Sequence, residues 1–215
     1  MIKNIIFDVG GVLVDFHPEK TMKNMGFSEE EAKIIAKATT QGNLWAELDR
    51  GALPKEEVFE RMYDKIREIT GEKSEKYISA AETFLSKGIF QTVTPFPYAA
   101  NWLSELKNRG FKIYILSNYP SWLWDYHWQT TFTFTPFVDD KIVSGKIKLI
   151  KPDPRIYQHI LKEFSLVADE CVFIDDRTEN IEAAKSQGIH GIIFTDFETT
   201  KALLERELSS GQSTC

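Results

Sequence analysis

Ile2-Lys3-Asn4-Ile5-Ile6-Phe7-Asp8-Val9-Gly10-Gly11-Val12 is the stretch on which the fold turns. From Ile2 to Phe7 the run is largely apolar, which suits a short strand buried on both faces. It ends in a carboxylate, Asp8, with two glycines close behind. A charge at the tip of a buried strand is costly unless it is paired. In an open parallel α/β sheet, ligands bind outside the carboxyl ends of the strands, so Asp8 stands where a reactive or metal-binding carboxylate belongs. An Asp that merely ends a strand and opens a turn would look the same in isolation. The decision therefore lies in the rest of the chain.

Three further apolar runs, Phe111 to Leu116, Cys171 to Ile174 and Gly191 to Thr195, precede polar residues and helical periodicity. That is the pattern of repeated βα units and a parallel α/β sheet. A fifth strand candidate lies near Phe137 to Ser144. Helices are expected after Pro97, running to a stop at Gly110; from Pro154; and from Thr178 as N-cap to Gly188. Between Phe16 and Thr94 no strand pattern appears. Helices are expected there from Pro18, from a capping box of Ser28 with Glu31, from Pro54 to Gly71, and from Ser74 as cap. Thr92 to Pro97 reads as a return linker. The expectation is a core of residues 1–15 and 95–208, a helical insert of residues 16–94 overhanging the end of strand one like a lid, and a disordered tail of residues 209–215.

The 215 residues are 42% hydrophobic and 27% charged, ordinary values for a globular protein. A net charge of −6 and the lack of a dense Lys/Arg run disfavour a nucleic-acid partner. No apolar run approaches the roughly 20 residues that span a bilayer, so no membrane role is expected, and the N-terminus lacks a signal-peptide layout. Cys171 and Cys215 form neither a disulfide framework nor a zinc pattern. Cys171 reads as a buried free thiol and Cys215 as a frayed end, and the pair fits a reducing cytoplasm.

Asp8 is joined by three other polar sites after strands or at helix starts: Ser117-Asn118, Lys151-Pro152 and Asp175-Asp176. Each alone is unremarkable as a turn, an exposed Lys or a cap. Their order and placement fit phosphoryl transfer to a carboxylate. Asp8 would attack phosphorus and form an aspartyl phosphate. Mg²⁺, which prefers carboxylate and water oxygens, could sit between Asp8, Asp175 and Asp176. Lys151 would neutralise nucleophile and phosphate, and Ser117 would donate to the transferring group.

At this point the chain resembles the haloacid dehalogenase superfamily, in the type with a helical cap inserted after the first strand. The motifs Phe7-Asp8-Val9-Gly10-Gly11-Val12, Leu116-Ser117-Asn118, Lys151-Pro152-Asp153 and Phe173-Ile174-Asp175-Asp176 occur in the superfamily's order. The resemblance runs from about Ile2 to Phe197. It implies a Rossmann-like core, a helical cap, Mg²⁺ dependence, an aspartyl-phosphate intermediate and a small phosphorylated metabolite as substrate, with Ser117, Asn118 and Lys151 binding it. It also implies that the Gly10 backbone carbonyl joins the metal ligands. Arg50 falls at a turn in the cap segment Trp45 to Gly51, which is similar to one that faces the active site in relatives, and would touch the substrate; the plain alternative is a solvated Arg at a helix end.

One position departs from the pattern. Most phosphatases of the superfamily carry a second Asp two residues after the nucleophile, and here that residue is Gly10. Glycine is neither acid nor base, and general acid–base catalysis is worth about 10²–10⁴-fold. Three escapes are open: a substrate with a good leaving group, such as an acyl phosphate or an anomeric sugar phosphate; proton transfer by another residue, with Asp15 and His17 as candidates; or a catalytically weak domain with a binding or regulatory role. A phosphotransferase or mutase would need the missing acid even more. A metal-free dehalogenase is disfavoured by Asp175-Asp176. Trp122, Trp124, Tyr126 and Trp128 fit packing better than a pocket wall. The expectation is a cytoplasmic Mg²⁺-dependent phosphatase, monomeric or weakly dimeric.

Overall fold

A computed structural model, described over residues 1–210, sets the opening segment at the centre of a sheet. The chain begins with β1 (Asn4–Phe7) and the short β2 (Val14–Phe16). Five helices follow: α1 (Pro18–Asn24), α2 (Glu29–Ala38), α3 (Asn43–Arg50), α4 (Lys55–Thr70) and α5 (Ser74–Ser86). It returns through β3 (Val93–Pro95) and α6 (Ala99–Asn108). It then runs through β4 (Lys112–Ser117), α7 (Ser121–Thr130), β5 (Asp140–Val143), α8 (Ser144–Ile147), α9 (Pro154–Glu163), β6 (Cys171–Asp175), α10 (Thr178–Ser186), β7 (His190–Ile193) and α11 (Phe197–Ser210). The main sheet has the order β5-β4-β1-β6-β7 and every pairing is parallel. The fold class is α/β, as the alternation of apolar runs and helix signals implies.

Strand alternation sorts the core into two layers. Ile5 and Phe7 point to one face, where Phe7 meets Trp102 of α6 edge-on at 5.0 Å and Leu204 of α11 joins the same cluster. Ile6 and Phe173 point to the other, against Ile156 and Tyr157 of α9 and Ile181 of α10. Full burial of such a side chain is worth about 1.5–3 kcal/mol, and all four residues of β1 are buried. This two-sided burial is why β1 reads as a nearly continuous apolar run rather than an alternating one.

The insert is built on an amphipathic pattern. Val58, Met62 and Ile66 of α4 are buried along one face, and Ser28 and Glu31 form the reciprocal capping box at the start of α2. Trp122 of α7 packs edge-on against Phe59 and Phe90, and Trp124 is fully buried, so the aromatic cluster after β4 joins insert to core. No helix among the described residues is long and apolar enough to cross a membrane.

The structure corrects several local expectations. The return linker contains β3, which pairs antiparallel with β2 through Val14–Pro95 to Phe16–Val93 and forms the stem of the insert. Three-residue strands show no period to read. α3 is a helix for which the sequence names no start, and Arg50 stands in its last turn, as the alternative of an Arg at a helix end has it. Thr178 is the first helical residue of α10, with Arg177 at the cap, and Ser74 likewise begins α5 directly after the 3-10 turn Gly71–Lys73. Of the expected disordered tail, Ser209 and Ser210 continue α11, while residues 211–215, including Cys215, lie outside the described residues.

Candidate active site

Strand register assembles the site. Phe7 pairs with Ile115 on one side and Ile174 on the other. The next residues, Asp8 and Asp175, therefore leave the sheet side by side at its C-terminal edge. The ladder runs one step further, with the Asp8 N–H donating to the Ile174 carbonyl at 2.9 Å. The chain then turns tightly: the Val9 carbonyl accepts from the N–H groups of Leu13 and Val14, and Gly11 takes φ +72°. A Cβ on Gly11 would collide with Asp176 Oδ2. Only glycine lets Asp176 come so close to the turn.

Lys151 is buried between two carboxylates. Its Nζ lies 2.8 Å from Asp8 Oδ1 and 2.7 Å from Asp175 Oδ2. Asn118 holds the Lys151 backbone on both sides, accepting from its N–H at 2.8 Å and donating to its carbonyl at 3.0 Å. Asn118 thus fixes the position of the lysine as well as lining the cavity. Asp175 is wholly buried and saturated: it accepts from Lys151, from the Asn180 amide at 2.9 and 3.0 Å, and from the Arg177 N–H at 2.8 Å. Asp176 is open to the cavity.

Charge and burial compete here. Burial pushes the Asp8 carboxyl up to about 6, with Lys151 pulling it down and Asp175 pushing it up. Burial alone would lower the Lys151 pKa, but Asp8 and Asp175 hold it above its ordinary value. The Asp176 carboxyl is raised by burial and by Asp175. Asp8 Oδ1 is occupied by the Val9 N–H at 2.6 Å and by Lys151, which leaves Oδ2 as the oxygen available for chemistry. Asp8, Asp175 and Asp176 each offer an oxygen within 4.8 Å of the others. This all-oxygen donor set suits a hard divalent cation such as Mg²⁺, and the cradle at Gly11 keeps Asp176 within reach of it. Because both Asp175 oxygens are already engaged, Asp176 is the better-placed direct ligand of the acidic pair.

These groups border a cavity of about 430 Å³, which Asp8, Gly10, Asn118, Lys151 and Asp176 line from the sheet edge. Ser117 ends β4 and is buried; Asn118 and Tyr119 after it form the wall. Arg50 is not among the lining residues. It sits in the last turn of α3, where its Nε lies 4.0 Å from Glu47. Its helix contributes Trp45 and Asp49 instead. Of the two alternative proton carriers, Asp15 lines the cavity and His17 does not, because the His17 ring nitrogens face the Thr21 and Thr94 hydroxyls at 3.1 and 2.9 Å. The sequence points to the segment Trp45 to Gly51 through Arg50 and assigns no role to Asp49 or Trp45, the two residues of it that line the cavity. The available signal was helical: Trp45, Leu48 and Asp49 stand at i, i+3 and i+4, which puts an acid on an apolar face.

Residues 2–188 match the family of haloacid dehalogenase-like hydrolases. A sesquiterpene phosphatase of Aspergillus oryzae is 28% identical over 199 residues, covering 90% of each chain. A D-ribitol-5-phosphate phosphatase of Bacteroides thetaiotaomicron is 25% identical over 197 residues, covering 87% of this chain and 89% of that protein. Among solved structures, the magnesium complex of a HAD family enzyme from Bacteroides thetaiotaomicron superposes with a TM-score of 0.66 at 24% identity, covering 94% of this chain and 98% of that one.

Proposed function

The chain belongs to the haloacid dehalogenase-like hydrolases, and we propose that it is a Mg²⁺-dependent phosphatase of a small phosphorylated metabolite. The observation that carries this reading is the buried Asp8–Lys151–Asp175 array beside Asp176 at one sheet edge, open to a cavity. The phosphatase names of the two relatives and the magnesium held by the structural neighbour support it. In this reading residues 16–94 act as a cap over a core of residues 1–15 and 95–208.

Asp8 Oδ2 attacks phosphorus while Lys151 and the Val9 N–H hold Oδ1, so the nucleophile is oriented before substrate arrives. Lys151 is positioned by Asn118 and Asp175 to offset the approach of an anion to a carboxylate. Ser117, at the end of β4, would donate to the transferring group. Asp8, Asp176 and the Gly10 carbonyl would hold Mg²⁺, with Asp175 behind them; the ion would neutralise charge on the phosphate oxygens. Asp8 then carries the phosphoryl group as an acyl phosphate until water releases it.

The test is inorganic phosphate release from sugar phosphates, nucleotides, acyl phosphates and an aryl phosphate, with Mg²⁺ or EDTA, beside Asp8→Asn. Metal-dependent release that the variant loses is the expected result. No release from any substrate by folded, Mg²⁺-binding protein would replace the phosphatase reading with a binding or regulatory one.

A further inference from the structure

A phosphatase of alkyl esters needs a proton at the departing oxygen, and Gly10 leaves the usual position for that acid without a side chain. The space is open: a Cβ on Gly10 would meet nothing within 4 Å. Resting on the phosphatase reading, we propose that Asp49, carried into the cavity by α3, supplies this proton and later takes one back from the hydrolytic water.

Asp49 lines the same cavity as Asp8, Gly10 and Lys151. Its Oδ1 is fully enclosed and has no hydrogen-bond partner among the described residues. A buried carboxyl oxygen without a donor disfavours the ionised form of the group, and the neutral form is the one a proton donor holds before it acts.

The position of Asp49 is fixed by the core, not by the insert alone. The Ser144 hydroxyl donates to the Asp49 carbonyl at 2.5 Å and accepts from the Tyr119 N–H at 2.9 Å. Two residues on, Gly51 closes α3 in the left-handed region at φ +63°, and a Cβ there would lie 2.6 Å from the Gly145 carbonyl oxygen. Backbone thus packs directly on backbone, and the end of α3 is pinned to the junction of β5 and α8. Asp15, by contrast, is exposed on β2.

The protonation state agrees with an acid. Burial, with Asp8 adding to it, pushes the Asp49 carboxyl up to about 8, while Lys151 and Arg177 pull it down. These groups come from the end of β1 and from the segments before α9 and α10, and Tyr119, after β4, is the further titratable group that feels the Asp49 charge. A carboxyl with that value carries its proton at neutral pH.

The proton balance closes over two half-reactions. In the first, the Asp8 Oδ2–P bond forms and the P–O bond to the alcohol breaks. The Asp49 proton moves to the departing oxygen, leaving Asp49 as carboxylate. In the second, water attacks the phosphorus of the aspartyl phosphate and gives its proton to Asp49. The bond from phosphorus to Asp8 breaks, phosphate leaves, and both carboxyls return to their starting states.

The experiment compares Mg²⁺-loaded wild type with Asp49→Asn on two esters: a primary alkyl phosphate, whose alkoxide cannot leave unprotonated, and 4-nitrophenyl phosphate, whose phenolate can. Asp49→Asn is expected to lower kcat about 10²-fold or more on the alkyl ester and less than about tenfold on the aryl ester. Gly10→Asp placed in the Asp49→Asn background is expected to restore alkyl turnover at least about tenfold, because its side chain has room. Wild-type kcat on the alkyl ester should fall as pH rises through the raised Asp49 titration, since the protonated form is the active one, and this limb should vanish in Asp49→Asn. A protonated-carboxyl infrared band at pH 7, absent from Asp49→Asn, provides a readout independent of turnover.

Equal losses on both esters, a change confined to KM, an ionised Asp49 at pH 6, or the leaving-group pattern following Asp15→Asn instead would each overturn the proposal. Wild type inert toward every ester would remove the phosphatase reading and this inference with it. Turnover indifferent to Asp49→Asn would remove this inference alone.

Discussion

Lys151 is a cation almost without solvent, and its two partners give it that place. Its ammonium and the carboxylates of Asp8 and Asp175 have all lost most of their water, so each depends on the others. Replacing such an ion array by apolar groups can be neutral, whereas removing one member strands the rest at a cost of about 3–5 kcal/mol. Lys151→Met leaves two buried acids facing each other. In EDTA at pH 7.5 we expect its thermal midpoint to fall by about 10 °C, from roughly 2–4 °C per kcal/mol in a chain of this size. The gap should narrow toward pH 5. Burial pushes the Asp8 carboxyl of the folded chain up to about 6, above its ordinary value of 3.8. The folded state therefore binds more protons between these values, and stability falls as pH rises through them. Without Lys151 that fall extends to higher pH, so wild type and variant diverge on the alkaline side. Melts across pH 5–8 that stay parallel would contradict this account.

At the scale of elements, the insert acts on the site through one short helix. α3 ends where Gly51 meets Gly145, and the hydrogen bond from Ser144 holds the same junction. Gly51→Ala puts a methyl 2.6 Å from a carbonyl oxygen at a left-handed φ, so the end of α3 must shift. The strain is about 1–3 kcal/mol, small enough to leave the fold intact. Asp49 moves with it, so turnover of an alkyl phosphate should drop more than turnover of 4-nitrophenyl phosphate; equal drops would detach α3 from the proton transfer. The same helix shows what the sequence conceals. Asp8, Lys151 and Asp175-Asp176 were legible because each follows a strand end or opens a helix, places where local pattern predicts a position. The β2–β3 stem was illegible because three residues carry no periodicity. Asp49 was illegible because its importance comes from contacts between α3 and residues 144–145, far along the chain. Arg50 is expected at the site from the likeness of its segment to one in capped relatives, but its neighbour Asp49 is the residue that lines the cavity.

For the whole molecule, the site is a junction of segments that meet only when the sheet is complete. Asp8 follows β1, Asn118 follows β4, Lys151 precedes α9 and the acidic pair ends β6. A cation held at this junction binds the folded state alone, so it must stabilise the entire fold. At a free concentration of 100 times its Kd, Mg²⁺ should add about 2.7 kcal/mol, which at this chain length raises the thermal midpoint by about 5–10 °C. The two adjacent acids should separate in this measurement. Asp176 faces the cavity beside Gly11, so Asp176→Asn should keep the metal-free midpoint near that of wild type and lose the Mg²⁺ shift. Asp175 holds Lys151, Asn180 and the Arg177 N–H at once, so Asp175→Asn should lower the midpoint even in EDTA. Calorimetric melts with and without Mg²⁺ read both effects. A metal shift that survives Asp176→Asn but not Asp175→Asn would exchange their roles, making Asp175 the ligand and Asp176 a bystander at the cavity edge.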